Sequence, residues 1–359
     1  MSSTLTAPPY QIIDTLSPGS EFYHRCLRAL RKTCGIYGLL PSSHIIPQGL
    51  TLVTTNNMKR PVASGGFSDV WRAGGNGGQI FAIKHFRIYD PDDSQYVRKD
   101  FCKQVIISRR IRHENVLSIE GVAPELFDLC LVSKWLGNGN MLQFVRAHVG
   151  VDRRGLLVGI TRGLHHLHSN EVVHGDLKGP NILIDERGNP LLSDFGLSSV
   201  TRNVTSVNAS TPRSGGTVRW SAPELLEALF DKSKKQTPTT KSDVYALSMV
   251  IIELYTGHIP FADRRDPSVI LMVAKGKRPP KPASAEALGL TPGVWELTKK
   301  CWHKKSSRRP DTSEILAHLE SMLSPMYLNV GLLMTWKSID REGKSGRFFA
   351  SLRAAVEGT

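Results

Sequence analysis

The stretch His174-Gly175-Asp176-Leu177-Lys178-Gly179-Pro180-Asn181-Ile182-Leu183 decides how this chain is read. It follows an apolar helical run and sets an acid, a base and an amide within six residues, Asp176 to Asn181. Eleven residues beyond Leu183 stands Asp194-Phe195-Gly196. Asp194 and Asn181 offer oxygen ligands near Lys178. Magnesium takes oxygen ligands and keeps phosphates in its shell, so the two segments read together as a magnesium–phosphate site.

Working outward towards the N-terminus, Val62-Ala63-Ser64-Gly65-Gly66-Phe67-Ser68-Asp69-Val70 joins two predicted strands through a glycine turn. Glycines there let backbone N–H groups approach phosphate oxygens with no Cβ in the way. Alone this is an ordinary hairpin signal. It gains weight from Phe81-Ala82-Ile83-Lys84, because a lysine in an apolar strand is costly to bury unless an anion meets it.

Short β-like runs at Asp69–Arg72, Ile80–Phe86, Val116–Val122 and Leu129–Ser133 flank a helix expected over Asp100–Arg112. Gly74–Gly78 forms the expected hairpin turn. Beyond Gly139 helices dominate, with strands at Ile182–Ile184 and Leu191–Ser193. Val244–Tyr255 is apolar but interrupted by Glu253, and reads as a buried core helix. Ahead of this, Ser20–Leu40 has helical periodicity in Phe22, Cys26, Leu27, Leu30 and Cys34, with basic residues between. Its preferred reading is a helix packed on the neighbouring domain; a membrane or partner face is the other. Pro47–Met58 reads as a connector. Residues 326–359 show only an apolar run at Val330–Met334 and a possible helix at Arg347–Val356.

The 359 residues and 40% apolar content suffice for a sizeable core and exclude a wholly disordered chain. The net charge is +14, with +4 in residues 1–60 and +2 in 326–359, so the excess is diffuse. No basic arm stands out, and no nucleic-acid partner is expected. Five widely spaced cysteines, without a C-x-x-C pair, argue against a disulfide framework or zinc site and for a reducing compartment. No signal core or transmembrane segment is visible, and a cytoplasmic location is expected.

These segments, in this order, resemble the eukaryotic protein kinase family over about residues 61–325. The likeness extends to Trp220-Ser221-Ala222-Pro223-Glu224, Lys241-Ser242-Asp243-Val244-Tyr245-Ala246-Leu247, Cys301-Trp302 and Arg308-Arg309-Pro310. The wording of the later blocks is similar to the tyrosine-kinase-like group of serine/threonine kinases, and the segment from His174 to Gly179 to its fungal members. The resemblance implies an α+β, bilobal fold: a small β-rich lobe with one key helix over about 61–136, and a larger, mostly helical lobe over about 137–325. Residues 1–60 are then an N-terminal extension and 326–359 a tail of unknown role.

The resemblance also assigns roles. Lys84 contacts the ATP α- and β-phosphates. Asp176 orients the acceptor hydroxyl and takes its proton, and Lys178 neutralises the moving phosphoryl group and favours Ser/Thr acceptors. Asn181 and Asp194 hold Mg²⁺. Gly65, Gly66 and Phe67 cover the phosphates, while Val62, Val70, Ala82 and Leu183 sandwich the adenine. Ser133 is a small gatekeeper, and Lys134 and Leu136 present backbone groups to the adenine edge. Glu224 and Arg309 form a structural ion pair, Asp243 braces the catalytic loop, and His174, Phe195 and Gly196 belong to the column beneath the site.

Four departures bear on activity. Ala63 and Ser68 stand where glycines are usual. Gln104, nine residues before His113, stands where a glutamate normally pairs with the lysine. It can accept from Lys84 but lacks the charge, so a loosely held helix, ordered by nucleotide, is expected; Asp100, a turn earlier, is a possible substitute. Ser108 puts a hydroxyl into an apolar column. Gly175 replaces an arginine that normally meets a phosphorylated activation segment, so loop phosphorylation at Thr205, Ser206, Ser210, Thr211, Ser214 or Thr217 is not the expected switch. His165, His166 and His168 are read as structural. The expectation is an ATP- and magnesium-dependent protein serine/threonine kinase with protein substrates. The alternative is a pseudokinase, a nucleotide-binding signalling scaffold.

Overall fold

The computed structural model describes residues 13, 16, 20–46, 49–54, 59–65, 68–88, 94–196, 217–227, 237–283 and 285–322. Gly66, Phe67, Thr205, Ser206, Ser210, Thr211, Ser214 and the tail segments around Val330 and Arg347 lie outside them. The chain divides into two units at Ile315/Leu316. The site lies in the first; the second is described only through the end of its opening helix.

In chain order the elements are α1 (Glu21–Tyr37), β1 (Thr51–Leu52), β2 (Ala63–Ser64), β3 (Ser68–Gly74), β4 (Ile80–Phe86), α2 (Ser94–Ser108), β5 (Ile119–Gly121) and β6 (Cys130–Lys134). Then come α3 (Met141–Ala147), α4 (Arg153–Ser169), β7 (Ile182–Ile184), β8 (Pro190–Leu192), α5 (Pro223–Glu227), α6 (Thr240–Thr256), α7 (Asp266–Ala274), α8 (Pro292–Cys301) and α9 (Thr312–Ser321). A β-rich lobe with one helix in its core thus precedes a helical lobe.

The first lobe is an antiparallel sheet in the order β1-β3-β4-β6-β5, with β2 also on β3. Its register sets Lys84 opposite Val70 on one side and Leu131 on the other, and Ala82 opposite Ser133. Side chains alternate across a strand, so Ala82 and Lys84 share one face. Phe86 and Leu131 share that face, and with Leu129 they pack against Val97, Phe101, Cys102 and Val105 of α2 and against Cys34 of α1. Leu27, Leu30 and Leu40 close that cluster. α1 is fixed at both ends: Ser20 caps it by accepting from the Tyr23 N–H, and Gly38 ends it at φ +65°. The preferred sequence reading of this helix, packing on the neighbouring domain, matches the arrangement.

The segment after α1 also joins the sheet. Ile46 N–H donates to Val122 O and Val122 N–H to His44 O, both at 2.9 Å. Gly121 allows this approach: a Cβ there would lie 2.5 Å from His44 O.

α2 differs from its expected limits. It begins at Ser94, not Asp100, and ends at Ser108, not Arg112. Its buried residues run Val97, Phe101, Cys102, Gln104, Val105, Ile106, Ile107 and Ser108. α1 covers one side and the sheet and site the other, so no single apolar stripe marks it.

In the second lobe α6 is buried from Ser242 to Tyr255, as its apolar run predicts. A capping box at Thr239 starts it and Gly257, at φ +69°, stops it. Its two acids, Asp243 and Glu253, are buried at opposite ends and both reach towards the loop after α4.

Candidate active site

Asp243 organises the loop that opened the sequence reading. Its Oδ2 accepts from the His174 N–H and its Oδ1 from the Gly175 N–H, each at 2.8 Å. His168 Nε2 lies 2.9 Å from Oδ2. To offer two successive N–H groups to one carboxylate, the backbone turns left-handed at Gly175, with φ +76°. The missing arginine therefore has a backbone counterpart: glycine adopts this geometry without Cβ strain. Burial pulls the His174 pKa below its usual value, against the opposing pull of Asp243, Asp176 and Asp194.

Three polar side chains converge after this turn. Lys178 Nζ lies 2.9 Å from Asp176 Oδ2 and 3.1 Å from Thr217 Oγ1. Asn181 Nδ2 donates to Asp176 Oδ2 at 2.9 Å and to its backbone oxygen at 2.8 Å. Asn181 thus spends its amide N–H groups on Asp176, which leaves its side-chain oxygen uncommitted to that residue. Behind the loop, Glu253 Oε2 accepts from Gly179 N–H and Trp220 Nε1–H, both at 2.8 Å. Burial pushes the Glu253 carboxyl up to about 7, although both hydrogen bonds favour the ionised form.

Across from it, Lys84 Nζ pairs with Asp194 Oδ2 at 2.5 Å. Burial alone would raise the Asp194 pKa, but Lys84, then Lys178 and His174, hold it below the usual carboxylate value. Asp194 has φ +62°, an uncommon conformation for a residue with a side chain. The next two residues are tied down: Gly196 N–H donates to His174 O at 2.9 Å, and Phe195 O accepts from Gln104.

Between the lobes lies a cavity of about 480 Å³. Val62, Val70 and Ala82 line it from the sheet, Leu183 from β7, and Lys84 and Asp194 bring charge to it. Ser133, Lys134 and Leu136 line its edge, and Ser108, Leu117 and Phe195 lie in its wall beside Leu131. Gly65 N–H donates to Ser68 O at 2.8 Å, joining the end of β2 to the start of β3. Ala63 and Ser68 sit in ordinary strand pairs, Ala63 with Val70 and Ser68 with Phe86. Neither has a positive φ, so the replaced glycines are not demanded by the backbone.

α2 turns Gln104 towards the Asp194–Gly196 turn. Gln104 is buried and donates through Nε2 to Phe195 O at 2.8 Å and to Ser108 Oγ at 3.1 Å. Gln104 thus bonds the helix to the Asp194–Gly196 turn. Asp100 does not replace the absent acid; it pairs with Lys103 of its own helix at 2.8 Å. Ser108 is buried as the acceptor for Gln104.

Glu224 and Arg309 meet in a two-toothed pair at 2.6 and 2.7 Å. The histidine group has separate structural partners: His165 Nδ1 lies 3.2 Å from Thr312 Oγ1, His166 stacks on His113, and His168 meets Asp243. The five cysteines are free thiols. Burial pushes Cys102 and Cys130 up to about 11 and Cys301 to about 12. Among the described residues no helix is long and apolar enough to cross a membrane.

Sequence reasoning missed Thr217 as a partner of Lys178, and Glu253 with Trp220 as the support beneath Gly179. The signal for Glu253 was present: one acid inside an apolar run must be hydrogen-bonded to be buried. Its partners, 74 and 33 residues away, were not legible.

A family model described as the protein kinase domain matches residues 57–319. Serine/threonine-protein kinase STY46 of Arabidopsis thaliana is 30% identical over 322 residues, covering 87% of this chain and 52% of that protein. Serine/threonine/tyrosine-protein kinase HT1 of the same plant is 29% identical over 266 residues, 72% of this chain and 64% of that one. Mitogen-activated protein kinase kinase kinase 13-A of Xenopus laevis is 30% identical over 249 residues, 68% of this chain and 23% of that one. The chain spans about half the length of STY46 and of its relative STY17. A β-rich lobe over a helical one, a cleft holding the Lys84–Asp194 pair beside Asp176 and Asn181, and a family match across most of the sequence lead to one conclusion: the chain belongs to the protein kinase family.

Proposed function

We propose that this chain is an ATP- and magnesium-dependent protein serine/threonine kinase of the tyrosine-kinase-like group, acting on protein hydroxyls in a reducing, cytoplasmic setting. One observation carries the reading: the Lys84–Asp194 pair lines the cavity, and Lys178, whose charge acts on Asp194, joins Asn181 in holding Asp176. The names of the relatives support a serine/threonine acceptor, and the raised cysteine pKa values support long-lived thiols.

The donor set fits magnesium. Asp194 is held ionised and the Asn181 side-chain oxygen is uncommitted to Asp176; both are hard oxygen donors. The metal, when bound, offsets charge on the ATP phosphates. The chain's own residues do the rest. Val62, Val70, Ala82 and Leu183 exclude water from the adenine faces. Lys84 attracts the α- and β-phosphates. Asp176 orients the substrate hydroxyl; as its oxygen bonds to the γ-phosphorus and the bond to the leaving oxygen breaks, the proton passes to the Asp176 carboxylate. Lys178 lies against that carboxylate and stabilises the charge on the moving group. Catalysis is thus mainly positioning and electrostatics.

The test is phosphorylation of the chain itself and of a generic protein substrate with Mg-ATP, wild type against Asp194→Asn. Loss of about 10²-fold or more in the variant is expected, the scale for removing one charge-stabilising group. Equal signal in both would remove the enzymatic reading and leave the scaffold alternative.

A further inference from the structure

We propose that Gln104 is a positioning residue that holds the Asp194-Phe195-Gly196 turn by donating a hydrogen bond, so that an amide, and not a carboxylate, is required at this position. The inference deepens the reading of the site as a kinase centre and rests on it.

The geometry decides which end of the side chain faces the turn. A backbone carbonyl only accepts, so the group 2.8 Å from Phe195 O must be the Gln104 nitrogen. The second amide proton goes to Ser108 Oγ, one helical turn on. Gln104 and Ser108 are 4% and 3% exposed, so neither bond is exchanged cheaply for water. The amide also lies flush on the turn: a Cβ at Gly196 would come within 2.5 Å of both its oxygen and its nitrogen. The two residues that looked like separate losses from the family pattern therefore form one bonded unit.

A glutamate at 104 has no proton for Phe195 O when ionised. It would set a carboxylate against a buried carbonyl, with Lys84 already engaged by Asp194 at 2.5 Å. The helix is coupled to the turn through Phe195, and among the described residues Asp194 is the acid that pairs with the lysine. Restoring the family's usual acid should therefore harm the enzyme.

The experiment uses the full chain with Gln104→Glu and with Gln104→Met, which fills similar space without a donor. Two readouts are taken: hydrogen exchange at residues 195 and 196 without nucleotide, and kcat against KM for ATP. Exchange there should speed about tenfold in both variants, the scale of one lost buried hydrogen bond, while amides of α6 are unchanged. The fall should be mainly in kcat. Gln104→Glu matching or exceeding wild type in protection and kcat overturns the proposal, as does Gln104→Met keeping full protection. If Gln104→Glu fails to fold, Gln104→Met decides by the same exchange. If wild type transfers no phosphate, the kinase reading fails, and the exchange rates still decide whether Gln104 holds the turn.

Discussion

Arg309 reaches back 85 residues to grip both carboxylate oxygens of Glu224, with its own side chain fully enclosed. Its guanidinium also lies 5.3 Å from the Tyr245 ring centre and donates to the backbone oxygens of Lys241 and His303. One side chain therefore ties α5, α6 and the segment before α9 together. Removing one partner of a buried pair leaves a charge without compensation. Arg309→Ala should destabilise the chain by about 3 kcal/mol. Arg309→Lys should recover less than half of that, because an ammonium cannot make the forked contact. Urea unfolding of the three proteins decides it; a full rescue by lysine would show that charge alone matters.

Glu253 makes stability depend on pH in an unusual direction. Its folded-state carboxyl is raised to about 7 from 4.5, so the folded chain holds a proton that the unfolded chain releases. Its contribution is fully present below about 4.5 and declines as pH rises through about 7. Gln at 253 keeps an acceptor for Gly179 and Trp220 but cannot ionise. Relative to Glu253→Gln, wild type should therefore lose stability on the order of a few kcal/mol between pH 5 and pH 8. Parallel denaturation curves with a constant gap across that range would refute this.

Gly175 predicts a backbone penalty. At φ +76°, any Cβ is strained, by roughly 1–2 kcal/mol. Both Gly175→Ala and Gly175→Arg should lower the unfolding free energy by that amount and the denaturant midpoint in proportion. They should also slow phosphoryl transfer, since the Asp243 contacts that hold Asp176's neighbours would shift. An unchanged midpoint in Gly175→Ala would mean that the turn relaxes without cost.

The site was legible where its chemistry is contiguous. His174 to Asn181, and Asp194 with its neighbours, are short runs whose residue types carry their roles in one dimension. Lys84 was legible because a charge breaks an apolar strand. The limits of α2 were not, because it is covered on two sides and shows no clean stripe. Gln104 was legible as a departure but not in its consequence: a list of side chains says that charge is missing, and only the fold shows that Phe195 O stands where a donor is needed. Glu253 failed for the same reason, its partners being fixed by tertiary packing.

The segment ahead of the family match has a consequence for what counts as the folding unit. Kinship begins at residue 57, yet α1, the His44–Val122 bonds and β1 all precede it. A chain shortened to begin at 57 would bare the faces of Phe101, Cys102 and Val105 and unpair both backbone groups of Val122. Such a protein should express as aggregate or melt well below the full chain, whereas one beginning at Ser20 should not. Ancestry and autonomy should draw different borders on this molecule: the family match starts at 57, but the smallest piece that stands alone is expected to start near Ser20.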